Sequence, residues 1–126
     1  MAAVETVRLG RPENPEAFLP GQTSGPVLGA VWDPLVDHAR FMPDAVLDAV
    51  AVSSQAANLP TAVGTVLCDL AHPWLAFTSA PGAPFALAVP DECALAGAHL
   101  CTQAASVAAS GAIGLANALD LTVATF

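Results

Sequence analysis

The sequence predicts an all-β chain, a single antiparallel β-sandwich of jelly-roll-like or Ig-like type with about seven or eight short strands. Three observations carry that expectation. The C-terminal third places Ile113, Leu115, Asn117, Leu119, Leu121 and Val123 at every second position, the spacing of half-buried β structure. Pro, Gly, Ser and Asp punctuate the chain roughly every 8 to 14 residues, leaving no room for long helices. The Ala-rich run after Pro90 has helical propensity but lacks an apolar stripe at helical period, and Gly97, Thr102 and Val107 oppose a helix there. A length of 126 residues suits one domain, residues 1–126, with one sizeable core.

From the start, VETVRL (residues 4–9) reads as a short amphipathic strand suited to a sheet edge. Residues 10–25 hold Pro12, Pro15, Pro20, Gly21 and Gly25, too many breakers for a helix or a central strand, so this is an irregular arm. Its Phe18 and Leu19 are expected to anchor in a groove, either the chain's own or a neighbour's. PVLGAVWD, residues 26–33, reads as a strand closed by Asp33-Pro34. Over residues 34–44 a helical turn competes with an extended loop, since Asp33 and Asp37 can cap and Pro34 suits a first helical position.

Residues 45–54, AVLDAVAVSS, alternate Val46, Asp48, Val50 and Val52 against Leu47, Ala49, Ala51 and Ser53, and the valines favour strand over helix. QAANLP then turns the chain into a strand over residues 63–70, and a His-Pro break precedes the strand WLAFT, residues 74–78. APGAP is a turn, and Phe85, Leu87 and Val89 face away from Ala86 and Ala88 on the strand that Pro90 ends. One helical turn over residues 91–96, released by Gly97, leads into the strand AHLCTQAASV, and Ser110-Gly111 turns into the last strand.

The charge inventory narrows the partners. Only 11% of residues are charged, against about 25% in ordinary soluble domains. Lys is absent, and Arg8, Arg11 and Arg40 stand against eleven carboxylates for a net charge of −8. Neutralising phosphates needs cations this chain does not have, so neither nucleic acid nor an anionic membrane is an expected partner. A chain that is 55% hydrophobic and so sparsely charged is expected to leave apolar surface for contact with other subunits. The uncharged run from Cys93 to Leu119 exceeds the ~20 residues of a bilayer helix. His99, Gln103, Asn117 and several Gly and Ser interrupt it, and no basic flank sets an orientation, so no membrane insertion is expected. MAAVETVRLG has neither the basic nor the apolar region of a signal peptide. The protein is expected either to act without export or to begin where a leader has been removed.

Candidate chemistry is thin. Cys68, Cys93 and Cys101 allow one internal disulfide at most, paired 68–93, 68–101 or 93–101. With His99 they lack the CxxC spacing of a metal site, and neither metal nor cofactor is expected. His38 beside Asp37 suggests an acid–base pair, but no nucleophile motif accompanies it, and a local Asp–His hydrogen bond that holds a loop accounts for it. GxSxG, HExxH and Gly-rich phosphate loops are missing, so no enzymatic activity is expected.

Three blocks, GTVLCDL, PGAPFALAVPDECALAGAHLCTQAASV and GAIGLANALDLTVATF, together resemble a small β-domain found at the C-termini of predicted exported proteins of planctomycetes and similar bacteria. The resemblance rests on Pro90, Asp91, Leu95 and Gly97 in the turn, Gln103 and Ala104, and Leu115 to Leu119 with Leu121 and Thr122 in the closing strand. Residues 25–38 fit it more loosely. Where that pattern often has Tyr two residues before the Gln, this chain has Cys101. The resemblance implies a β-sandwich in an extracytoplasmic setting, extracellular, at the cell surface or on a virion, and no chemistry. In the motif, Gly97 suits a positive φ or a tight approach. Gln103 and Asn117 are expected to satisfy each other or an edge backbone group, or to contact a ligand.

Two functions follow as expectations. The first is a non-catalytic structural module that self-associates or packs on a lattice neighbour, as a coat, appendage, filament or virion-decoration subunit. The second is an exported glycan- or protein-binding adhesion module, with Trp32, Trp74 and Phe77 as rings able to stack on a sugar.

Overall fold

The computed structural model describes residues 2–71 and 74–125. It is all-β apart from one 3-10 turn at Cys93–Leu95, with strands Val4–Arg8 (β1), Phe18–Leu19 (β2), Val31–Trp32 (β3), Leu35–Val36 (β4), Ala45–Ser53 (β5), Ala56–Thr61 (β6), Gly64–Cys68 (β7), Trp74–Ser79 (β8), Leu87–Ala88 (β9), His99–Ala108 (β10) and Ile113–Thr122 (β11). Five of them form the main sheet, in the order β1-β11-β10-β5-β8, every pair antiparallel. The uncharged run from Cys93 to Leu119 is therefore mostly paired strand. Among the described residues no helix is long and apolar enough to cross a membrane, a statement about helices alone.

Two expectations change and one open alternative is decided. Residues 26–33 form a strand only at β3, because Gly29 takes a φ of +74° and the Ala30 N–H turns back to the Val27 carbonyl. Residues 34–44 hold no helical turn among the described residues. Asp33 instead accepts from the Thr23 hydroxyl and the Thr23 and Ser24 N–H groups, and those bonds, the hydroxyl's first, hold its carboxyl down to about 2. QAANLP, read as a turn, enters β6, which pairs with β7 as a hairpin. Its Pro60 is tolerated because β6 is the outer, exposed strand, where no neighbour needs the missing N–H. The His-Pro break at residues 72 and 73 lies outside the described residues.

A bulge decides which side chains face where. Gln103 opposes Ala118 while Ala105 opposes Leu115, so β11 holds one more residue than β10 across that interval. The extra residue reverses the alternation. Leu119, Leu121 and Ala116 pack into the larger core, whereas Leu115 sits with Val66 and Gln103 on the opposite face. The single apolar face expected for Ile113 to Val123 is thus split in two.

On the first face, the short pairs β2–β4 and β3–β9 cover the sheet and set Phe18, Trp32, Val36, Phe85 and Leu87 against Val50, Ala104, Leu119 and Leu121. Phe18 is the hub: its ring meets Trp32 and Phe85 edge-on at 6.3 Å each. The arm therefore anchors in the chain's own core. On the second face lies the β6–β7 hairpin, with Leu67 and Cys68 against Cys101 and Ala118. The result is a sandwich-like arrangement with the five-stranded sheet in the middle.

Because the covering layers are short, buried side-chain amides hold them. The Asn117 side chain accepts the Phe18 N–H at 2.8 Å and donates to the Phe18 carbonyl at 3.0 Å, standing in for a missing partner strand. Gln103 accepts the Leu67 N–H at 2.9 Å and donates to the carbonyls of Thr65 and Ala116. Asn14 also bridges Thr65 and Ala116. Two of these amides converge on Ala116, whose carbonyl the bulge frees from the ladder. Each such bond nets about 1 kcal/mol, but an orphaned buried amide costs about 1–3, so the three are structural rather than spare ligand groups. Gly97 adopts a φ of +77°, the positive φ its turn requires.

Candidate functional site

Strand β8 is the one element of the main sheet that is exposed along nearly its whole length. Among the described residues it pairs with β5 alone, in continuous register from Asp48↔Ser79 to Ser53↔Trp74, and its outer edge is left open. Natural sheets blunt such edges with charge, proline or a bulge. WLAFTS carries none of these, and residues 70–90 contain no Asp, Glu, Lys or Arg. At the opposite edge β1 carries Glu5 and Arg8, and Glu5 accepts bonds from the Gly21 N–H and the Trp32 indole.

Both faces of β8 are apolar. Leu75 and Phe77, opposite Val52 and Val50, border a cleft of about 410 Å³ whose other walls include Trp32, Leu87, Val89 and Val123, with Glu92 at its rim. Trp74 and Ala76 turn the other way, onto a smaller groove with Val66, Leu70 and Leu115. Leu75 is 62% exposed, Trp74 46% and Phe77 37%, a contiguous apolar set on one strand.

The residues singled out from the sequence separate accordingly. Trp74 and Phe77 lie on β8, and Leu75 between them, the most exposed of the three, was missed because only aromatic rings were singled out on this strand. Phe18 is buried and Leu19 half-buried in the arm's own pairing with β4. Trp32 is 2% exposed with its indole N–H on Glu5 at 2.6 Å, so its ring belongs to the core. Cys68 and Cys101 form a disulfide that ties β7 to β10, and Cys93 is a free, exposed thiol. Beside the disulfide, the Arg8 guanidinium holds Asp120 at 2.7 and 3.1 Å and donates to the carbonyls of Ala57 and Leu67, clamping the hairpin to β1 and β11.

A second polar cluster lies at the far end of β5. His38 pairs with Asp48 at 2.7 Å, not with its sequence neighbour Asp37, which caps the Ala39 N–H instead. Asp48, fully buried, also accepts the Ser106 hydroxyl at 2.7 Å and the Gly82 N–H at 2.8 Å. The other ring nitrogen of His38 faces the Phe41 carbonyl, so the imidazolium form satisfies both acceptors. Burial opposes that charge, but the hydrogen bonds to Phe41 and Asp48 outweigh it and raise the pKa above 6.5. Ser106 donates to the carboxylate rather than to the imidazole, so the three side chains make no nucleophile–base pair; they lock the 38–42 and 80–84 loops to the sheet. Among the described residues no group of His, Cys, Asp and Glu is placed to hold a metal ion.

The raised pKa has a pH signature. A group whose pKa is higher in the folded state stabilises fully below its unfolded value, here ~6.5, and loses that contribution as pH rises through the folded value. The urea midpoint is expected to fall between pH 6 and 9, and His38→Asn is expected to flatten that slope. An equal slope in the variant would assign the effect elsewhere.

No family model, curated protein or solved structure matches this chain.

Proposed function

We propose that this chain is a non-catalytic structural module that associates with other subunits through the uncharged edge of β8 and the cleft beside it, as a coat, appendage, filament or virion-decoration subunit. The single observation that carries the reading is an open, six-residue edge strand with large apolar side chains on both faces and no charge. An acidic chain of net charge −8 repels its copies over most of its surface, and residues 70–90 are where that repulsion is weakest. An extracytoplasmic setting, which the resemblance to exported β-domains implies, is supported by the Cys68–Cys101 disulfide, since such bonds persist in oxidising compartments. The adhesion alternative keeps only Trp74 and Phe77 of its three rings, because Trp32 is core.

Light scattering coupled to size exclusion tests the reading. The wild type is expected to elute above monomer mass as concentration rises, and Leu75→Lys/Phe77→Lys to remain monomeric with an unchanged far-ultraviolet spectrum. A wild type that stays monomeric at millimolar concentration removes the main support for the proposal.

A further inference from the structure

We propose that the occupant of the β8 edge is a second copy of the same chain, its β8 running antiparallel to the first about a two-fold axis perpendicular to the sheet, with Ala76 opposite Ala76. The inference rests on the reading of β8 as the contact edge and adds the partner, the symmetry and the register. Two edge strands related by such an axis keep their faces, so each residue opposes one of the same parity, and the axis must pass beside a residue rather than between two. For a strand of residues 74–79 the central choices are Ala76 and Phe77. Centring on Ala76 sets Leu75 against Phe77 of the second copy, twice, on the cleft side, and Trp74 against Thr78 on the other, with the smallest side chain at the axis. Centring on Phe77 sets Leu75 against Ser79 and crowds two Phe rings together, losing both apolar pairs.

Charge selects the same partner. A second copy offers on its own β8 an edge as free of carboxylates as the first, so the two acidic bodies meet along strands that carry no charge. Pairing β8 with the other edge, β1, would bring Glu5 and Arg8 into the new ladder and would run head to tail, as a ring or an open filament. Pairing β8 with itself closes, and joins the two five-stranded sheets into one continuous sheet, within the width that twisted sheets sustain.

Site-specific oxidative cross-linking tests the register, in a Cys93→Ser background that removes the exposed thiol. Directly opposed residues of an antiparallel pair bring their Cβ atoms to about 4.5–5.5 Å, within reach of a disulfide after small adjustment, whereas two copies of residue 78 would lie more than ~10 Å apart. Ala76→Cys is expected to give cross-linked dimer in about ten-fold excess over Thr78→Cys under mild oxidation. A wild type that associates while Ala76→Cys fails to cross-link, or cross-links no better than Thr78→Cys, overturns the symmetric pairing and leaves the contact-edge reading standing. A wild type that is monomeric throughout overturns both.

Discussion

Replacing Asp48 with Ala is expected to lower the stability of the fold by about 3–5 kcal/mol, the range for breaking a buried ion pair by removing one partner. The carboxylate is fully buried and accepts three bonds, from the His38 ring, the Ser106 hydroxyl and the Gly82 N–H. Its loss leaves the His38 imidazolium without its counter-charge and two donors without an acceptor. His38 can shed its proton, but Ser106 and Gly82 have no such escape. Because domains are stable by only ~5–15 kcal/mol, a loss of about 3–5 kcal/mol takes roughly a fifth or more of the total. Asp48→Asn retains shape and an acceptor for His38 but turns an amide donor toward one of the other two, so it should fall between Ala and wild type. Urea denaturation of the three proteins at pH 6 checks the order. A loss below about 1 kcal/mol for Asp48→Ala would mean that the loops do not depend on this pair.

The Asp48 cluster also shows how far the sequence could be read. Alternation in β5 put Asp48 on one side with Val50 and Val52 without saying which side is buried, so its place in the strand was legible. Its partner was not: Asp37 is adjacent to His38 in the chain, while Asp48 reaches it only once β5 and the 38–42 loop are folded against each other. The same division holds elsewhere. The long strands β5, β10 and β11 follow from local periodicity, and Trp74 and Phe77 stood out as aromatic. The β11 bulge did not, because it is a register property of two strands and no residue at 116 or 117 announces it. Nor did the amide anchors: Asn117 and Gln103 were recognisable as polar groups in apolar strands, but that Asn117 holds Phe18, 99 residues away, is a tertiary fact. The open edge was hidden for a similar reason. WLAFT reads as an ordinary strand, and only the sheet order reveals that no described strand pairs with its far side.

Removing the Cys68–Cys101 disulfide, by Cys68→Ala/Cys101→Ala or by reduction, is expected to cost about 3–4 kcal/mol of stability. The two cysteines are 33 residues apart, and closing a loop of that length removes roughly 12 cal/mol/K from the unfolded chain, close to 4 kcal/mol at room temperature. The loss is expected to be unevenly felt. Among the described strands the β6–β7 hairpin pairs with none of the main sheet, and without the disulfide it is held by Arg8, Asn14, Gln103, the Leu115 N–H on the Val63 carbonyl and the packing of Leu67. Amides of Ala56–Cys68 should therefore lose exchange protection before those of β10 and β11, whose ladders are intact. Cys93→Ser, at an exposed free thiol, should change neither the urea midpoint nor the exchange pattern. If reduction left the midpoint unmoved, the cross-link would be restraining nothing the unfolded chain can sample, and the side-chain bonds to Thr65 and Leu67 alone would account for the hairpin's position. A full loss would make folding conditional on an oxidising compartment, since roughly 4 kcal/mol is a large share of what a chain this size has to hold it together.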